Sequence, residues 1–253
     1  MKELNIKYLI WTFGIVLICW GSCVALGFNG ISLANSPLLY IPYMLGGFSP
    51  TIASFIALKQ SGRVKSFKEW VKGIFSFKHN PLIYLFVIAF SIVSTLLQCQ
   101  ISGYEQIAPL YFILLFLPQM LVGGGLEEVG WRHVLQPELE KRFKFTFSPI
   151  IVALIWWLWH LPLFFIEGTW QYERSFWAFG ISVLGLSFAL AAIKRKTNST
   201  WLCILFHTIT NALGGIYAAG DSILGSVVST AALIIIALVW VKIDYKKNPS
   251  RAK

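Results

Sequence analysis

The chain has 253 residues, of which 57% are hydrophobic and 13% charged, and its mean hydropathy is +0.68. A soluble domain of this length carries roughly 25% charged residues, so the composition excludes a soluble globular protein and predicts an integral membrane protein. The net charge of +10 does not indicate a nucleic-acid partner, because the basic residues fall between apolar runs, where they encode membrane topology. No long polar stretch divides the chain, so residues 1–253 are predicted to form a single membrane domain.

The apolar runs predict an all-α, polytopic membrane bundle of about eight transmembrane helices. A span needs roughly 20 apolar residues. The runs of suitable length are 8–27, 38–58, 82–101, 109–132, 148–166, 176–193, 200–217 and 223–241. The first run exceeds the roughly 7–15 apolar residues of a signal peptide, so it is predicted to be a membrane helix.

The distribution of Lys and Arg predicts the orientation of the bundle. When the N-terminus is placed in the cytoplasm, all but one of the 21 Lys and Arg residues fall in cytoplasmic segments. In this count Arg132, the last residue of the fourth span, is taken with the cytoplasmic side, and Arg174 is the one basic residue outside. The positive-inside rule therefore predicts that both termini are cytoplasmic. Segment 59–79, basic and rich in aromatic residues, fits an interfacial amphipathic helix and a plain basic loop equally well.

Few charged or imidazole groups lie within the predicted spans. They occupy the fourth, fifth and seventh runs: Glu127, Glu128, Arg132, His160 and His207, with Asn211 beside the last. At 1.5 Å per residue, the imidazoles lie roughly 10 and 18 Å from the cytoplasmic starts of their helices, and the carboxylates lie near the cytoplasmic end of theirs. Hydrocarbon offers polar groups no water, so one shared polar site is predicted.

Helix spacing predicts how the two carboxylates divide their roles. Glu128 precedes Arg132 by four residues, which is the favourable order for an ion pair on a helix. Glu127 lies about 100° away around a 3.6-residue helix, so it can face a cavity while its neighbour is held. Two carboxylates together with nearby imidazoles indicate an acid–base site.

The remaining polar groups also fall on helix faces. His207 and Asn211 are four residues apart and project from one face, and Trp156 is placed to pack beside His160. Each element alone also fits a structural role, such as a hydrogen bond between helices or an interfacial charge. Their combination on three spans at overlapping depth favours a functional site.

Three motifs carry a resemblance to a known family. They are Gly-Leu-Glu-Glu-Val-Gly-Trp-Arg at 125–132, Trp-Trp-Leu-Trp-His-Leu-Pro-Leu at 156–163 and His-Thr-Ile-Thr-Asn at 207–211. In this order they resemble the signature of the CAAX-processing and bacteriocin-processing (Abi, CPBP) intramembrane endopeptidases. The resemblance covers about residues 109–215. Two departures are His133 and Trp156, where the family commonly has Gly and Phe.

The resemblance implies a role for each motif residue. Glu127 would activate water as a general base with help from His160, and Glu128 with Arg132 would orient the site. His207 and Asn211 would stabilise the oxyanion formed when water adds to a peptide carbonyl. No cofactor is favoured; the alternative is a zinc enzyme with Glu127, His160 and His207 as ligands, although the His-Glu-x-x-His motif of soluble zinc proteases is absent.

The predicted function is therefore cleavage of a membrane-anchored or prenylated peptide near the cytoplasmic face, with membrane lipids as the other partner. One alternative is a catalytically idle protein of the same fold that acts in bacteriocin immunity or as a scaffold. A transporter is a third alternative, disfavoured because no inverted repeat is evident. The composition predicts a multi-pass protein of a bacterial plasma membrane.

Overall fold

The computed structural model describes residues 2–247, and the surroundings of the side chains from 3 to 243. Arg251 and Lys253, part of the predicted basic C-terminal segment, lie outside the described residues. The protein is an all-α polytopic bundle, as predicted. Its α-helices are α1 (Lys2–Gly27), α2 (Tyr40–Gly47), α3 (Ser49–Gln60), α4 (Phe67–Ile74), α5 (Pro81–Ser102), α6 (Ile113–Gly123), α7 (Glu128–Gly130), α8 (Gln136–Glu140), α9 (Ser148–Trp159), α10 (Phe176–Thr197), α11 (Thr200–Gly214) and α12 (Ile223–Lys247).

Helix occupies every predicted span, but the lengths differ from the prediction. Within the described residues, six helical segments are long and apolar enough to cross a membrane: Glu3–Gly27, Pro81–Ser102, Leu110–Glu140, Ser148–Phe165, Phe176–Thr197 and Ile223–Ile243. The predicted span 38–58 is broken into α2 and α3, which are bent by 45° and raise the number to seven when counted as one span. The predicted span 200–217 is α11, whose 15 residues extend about 22 Å.

The predicted fourth span is longer and less regular than the sequence indicated. After α6 the chain forms a 3-10 turn (Gly125–Glu127), α7, a π-helical turn (Trp131–Leu135) and α8. This irregular segment begins at three glycines, Gly123-Gly124-Gly125, which have no side chains to favour regular α geometry. The side chain of Arg132, which the charge count places on the cytoplasmic side, is fully buried inside this segment.

Local sequence signals set the starts of the helices around the site. The side chain of Asn80 accepts a hydrogen bond from the backbone N–H of Leu82 at the start of α5. Ser175 and Ser199 cap α10 and α11 in the same way. These caps satisfy backbone donors that a helix end would otherwise leave unpaired.

Helix α11 is central to the bundle, since it packs against α5, α6, α7 and α10. Helix α3 packs against α1 and α7, where Gly130 allows a close approach: a Cβ atom there would lie 2.8 Å from the carbonyl oxygen of Pro50. The indoles of Trp20, Trp131 and Trp159 pack side by side and are almost fully buried. These three packed indoles form a rigid aromatic cluster beside the site.

Segment 59–79, for which the sequence fitted an amphipathic helix and a plain basic loop equally well, contains helix α4. It is an amphipathic helix, with Trp70 and Ile74 buried and Lys68 and Lys72 exposed. The indole N–H of Trp70 donates to Ser54 on α3 at 3.1 Å. This arrangement is typical of an interfacial helix that covers the end of a bundle.

A short antiparallel ribbon was not predicted. Strand β1 (Tyr104–Gln106) pairs with β2 (Tyr217–Ala219) and joins the loop after α5 to the loop after α11. Each strand has three residues, which is too short to give a period-2 pattern that could be recognised in the sequence.

Candidate active site

The six predicted site residues come together in the structure. Glu127, His160, His207 and Asn211 line one cavity of about 400 Å³. Their backbones belong to the 3-10 turn after α6, the C-terminal end of α9 and the middle of α11. Glu128 and Arg132 lie behind the cavity wall and are fully buried.

Glu128 is neutralised by two cationic or proton-donating partners. Its Oε2 atom accepts a hydrogen bond from Nε of Arg132 at 2.9 Å, as the spacing predicted. Its Oε1 atom lies 2.9 Å from Nδ1 of His207. A buried carboxylate needs such partners because desolvation strongly disfavours its charge. Glu128 therefore fixes the imidazole of the third motif relative to the first.

Arg132 begins a chain of polar contacts that leads away from the cavity. Its guanidinium also donates to Oε1 of Gln136 at 3.1 Å and to Oγ of Ser187 on α10 at 3.2 Å. The amide of Gln136 donates in turn to Glu140 at 2.7 Å. We call Glu128, Arg132, Gln136 and Glu140 the buried ladder. Glu128 and Gln136 of the ladder, together with Ser187, accept hydrogen bonds from all three nitrogens of the Arg132 guanidinium, which has no access to water.

Glu127 points in a different direction from Glu128 and reaches the cavity. The indole N–H of Trp156 donates to its Oε2 atom at 2.7 Å. The Trp156 ring also contacts both imidazoles, with centroid distances of 5.8 Å to His160 and 5.3 Å to His207. Trp156 thereby fixes the carboxylate with the same indole that packs against both imidazoles.

The hydrogen bond of His160 defines its tautomer. Nδ1 lies 2.8 Å from the carbonyl oxygen of Trp156. A carbonyl oxygen only accepts, so Nδ1 carries the proton and Nε2 of the neutral ring is an acceptor. The ring is clamped edge-on by Trp159 and Phe179, at centroid distances of 4.6 and 4.8 Å. His160 therefore offers a fixed lone pair in the wall of the cavity.

Two nitrogen atoms converge on the space beside Gly124. Nε2 of His207 lies 3.6 Å from the position that a Cβ atom of this glycine would occupy, and Nδ2 of Asn211 lies closer still. The missing side chain leaves a small polar recess open to both groups. Nδ2 of Asn211 is a donor, and Nε2 of His207 becomes one when the ring is an imidazolium. Two such donors beside one recess are the usual arrangement for binding an oxyanion.

The zinc alternative names Glu127, His160 and His207 as the ligands of one metal ion. Within residues 2–247, no three His, Cys, Asp or Glu side chains are grouped so that they could hold one metal ion. Glu127, His160 and His207, the predicted ligand set, do not form such a group. Zinc requires three or four donors at about 2.0–2.2 Å from a single point.

The sequence did not reveal all members of the site. Trp156 was expected only to pack against His160, whereas its N–H binds Glu127. Gln136 follows Arg132 by four residues, a spacing that could have indicated it. Ser187 lies 55 residues further along and has no local signal. His133, a departure from the family pattern, does not line the cavity, and its Nδ1 lies 3.2 Å from Oγ1 of Thr200.

Comparisons with known proteins agree with the motifs. Residues 109–213 match a family model described as type II CAAX prenyl endopeptidase Rce1-like. The chain is also similar to a protein named CAAX prenyl protease 2 from Methanococcus maripaludis. The two are 26% identical over 266 residues, which cover 94% of this chain and 93% of the relative. The matched region contains all six predicted site residues.

Replacement of Arg132 by Met tests the buried ladder. We expect a loss of about 3–5 kcal/mol in the free energy of unfolding, because Glu128 keeps its burial and loses its permanent cation. The measurement is thermal or denaturant unfolding of the purified protein in detergent. Lys7→Met is the matched control, since it breaks the Glu3–Lys7 pair at the protein surface, where solvent screens the charges and a much smaller loss is expected. Equal losses in the two variants would contradict this account of the ladder.

Proposed function

Because residues 109–213 match the model of the CAAX prenyl endopeptidases, we propose that this multi-pass membrane protein is a peptidase that cleaves its substrate with a water molecule activated by Glu127. One observation carries the proposal: Glu127 lines the cavity together with His160 and His207, while Glu128 is neutralised by Arg132 and His207. The two adjacent carboxylates therefore have different environments, as acid–base chemistry at one site requires.

In the first step, Glu127 takes a proton from water, and the water oxygen attacks the carbonyl carbon of the scissile peptide bond. His160 orients this water through the lone pair on Nε2, which its hydrogen bond to Trp156 leaves unprotonated. The hydrogen bond from Trp156 fixes one oxygen of Glu127 during the transfer. General-base catalysis of this kind contributes roughly 10²–10⁴-fold to the rate.

The negative charge that develops on the carbonyl oxygen is bound in the recess beside Gly124. As an imidazolium, His207 donates from Nδ1 to Glu128 and from Nε2 to the oxyanion, and Nδ2 of Asn211 donates beside it. Glu127 then gives its proton to the leaving amine as the C–N bond breaks. Arg132 and Glu128 act through His207 and are positioning residues.

The substrate class proposed is a peptide or protein held at the membrane by a lipid or an apolar segment. A prenylated CAAX peptide is one candidate, in keeping with the name of the archaeal relative. The precursor of a bacteriocin or of a signalling peptide is the other. A role in bacteriocin immunity and a location in a bacterial plasma membrane stay predictions. Comparison of the membrane-associated peptides of cells with active and with inactive enzyme would distinguish the substrates by the precursor that accumulates.

Glu127→Gln should abolish cleavage, because an amide cannot accept the proton of water. With a precursor found by the peptide comparison as substrate, we expect kcat to fall by at least about 10²-fold. The thermal stability of the variant should be unchanged. Glu69→Gln, on the exposed surface of α4, is the matched control and should retain activity. Full activity of Glu127→Gln would refute the mechanism, whereas absence of cleavage by the unaltered protein would favour the catalytically idle scaffold.

Gly124→Ala should fill the recess between His207 and Asn211. The added methyl group displaces the Asn211 amide, so kcat should fall by about 10²-fold while KM changes little. Gly21→Ala is the matched control, because a Cβ atom there has no neighbour within 4 Å. Equal activity in the two glycine variants would show that the oxyanion is bound elsewhere.

Exhaustive chelation tests the zinc alternative directly. The proposed chemistry uses Glu127 alone as base, so cleavage by purified enzyme should survive chelation and show no stimulation by added zinc. Metal content and cleavage rate are measured on the same sample. Loss of cleavage on metal removal, restored by stoichiometric zinc, would overturn the glutamate mechanism.

A further inference from the structure

The cavity extends from the catalytic residues toward one end of the bundle. Its wall on α5 is formed by the late residues of that helix, such as Thr95 and Gln98. Its walls on α10 and α12 are formed by early residues, such as Ser182 and Ser226. Because α5 runs in the opposite direction to α10 and α12, all these residues lie in the same half of the bundle.

The mouth of the cavity is formed by the connections at that end. We define the mouth by Trp170, Gln171, Arg174, Ala219 and Asp221, which line the cavity from the segments before α10 and after α11. Trp170 and Asp221 are exposed. The guanidinium of Arg174 lies 4.0 Å from the ring centroid of Trp170 and donates to the carbonyl of Ala219 at 3.0 Å, which joins the two segments.

The other side of the site is closed. Trp131, Arg132, Gln136 and Ser187 separate Glu127 from the opposite end of the bundle, and their exposed fraction is 0%. The buried ladder fills this region with paired polar groups rather than with open space. A peptide therefore cannot reach Glu127 from the end of the bundle where Glu140, the last residue of the ladder, lies.

The closed end carries the basic segments of the chain. Arg63, after α3, pairs with Glu138 on α8 at 3.0 Å, and Arg195, near the end of α10, pairs with Glu140 at 3.1 Å. These contacts bring the basic ends of α3, α8 and α10 to one face. Among the Lys and Arg residues between positions 3 and 243, Arg174 is the one in a segment at the mouth. The positive-inside rule assigns the basic face to the cytoplasm.

We infer that the catalytic cavity is open to the extracytoplasmic side of the membrane and closed to the cytoplasm. On the proposed function, its substrates are membrane-tethered peptides that have already been translocated, so that the scissile bond lies on the outer side. This differs from the predicted cleavage near the cytoplasmic face. The depth of Glu127 in its span gives its distance from that face, whereas the walls of the cavity determine the side from which it is reached.

Cysteine accessibility in intact cells tests this inference without relying on cleavage. The background is a full-length chain in which Cys19, Cys23, Cys99 and Cys203, all free thiols, are replaced by Ala. Asp221→Cys reports the mouth and Lys68→Cys reports the basic face. A membrane-impermeant, charged maleimide should label Asp221→Cys in intact cells and Lys68→Cys only after permeabilisation. Labelling in the reverse pattern would overturn the inference.

A second pair of variants tests the cavity itself. Gln98 lines the cavity, whereas Leu96 is two residues away on α5 and exposed on the apolar outer surface of the bundle. In intact cells, a small charged thiosulfonate should react with Gln98→Cys at least about tenfold faster than with Leu96→Cys, because a thiol ionises only where water reaches it. Equal rates would overturn the inference.

The two proposals fail in different ways. If the labelling pattern is as expected and Glu127→Gln retains cleavage, the orientation holds and the mechanism is wrong. If Gln98→Cys reacts only after permeabilisation while Glu127→Gln is inactive, the mechanism holds and the cavity opens to the cytoplasm.

Discussion

The charge of Glu128 is the constraint on which the site depends. A carboxylate buried at membrane depth without a partner would lose several kcal/mol of solvation. Arg132 and His207 supply these partners, each with a nitrogen 2.9 Å from a carboxylate oxygen of Glu128. Both side chains must in turn be held in position. Arg132 requires Gln136 and Ser187, which ties α8 and α10 to the site. His207 brings α11 to the same point, so one charge aligns three parts of the bundle.

The same pairing explains why two adjacent carboxylates are useful. A single glutamate cannot both anchor a histidine in the protein interior and remain available to water in a cavity. Neighbouring positions point in directions about 100° apart, so one side chain can enter the interior while the next enters the cavity. Trp156 stabilises the second of these directions with a hydrogen bond that also sets the spacing of the imidazoles. Anchoring and catalysis are thus separated by one residue of sequence.

Much of this arrangement could be predicted because it depends on local spacing. The Glu128–Arg132 pair follows from four residues on one helix, and the spans follow from apolar runs. The break between α2 and α3 was missed, although Gly46-Gly47 before Pro50 is a recognisable interruption. Ser187 and the recess beside Gly124 could not be predicted. They depend on how helices pack, and no pattern in one segment encodes its distance from another.

The π turn at Trp131–Leu135 has a geometric consequence for the ladder. In a regular α-helix, a step of four residues overshoots a full turn by about 40°, so side chains spaced by four drift around the axis. A wider i→i+5 turn undershoots instead. Because the ladder passes through both kinds of turn, the two rotations oppose each other. Glu128, Arg132, Gln136 and Glu140 can thus follow one another in a single line of hydrogen bonds from position 128 to position 140.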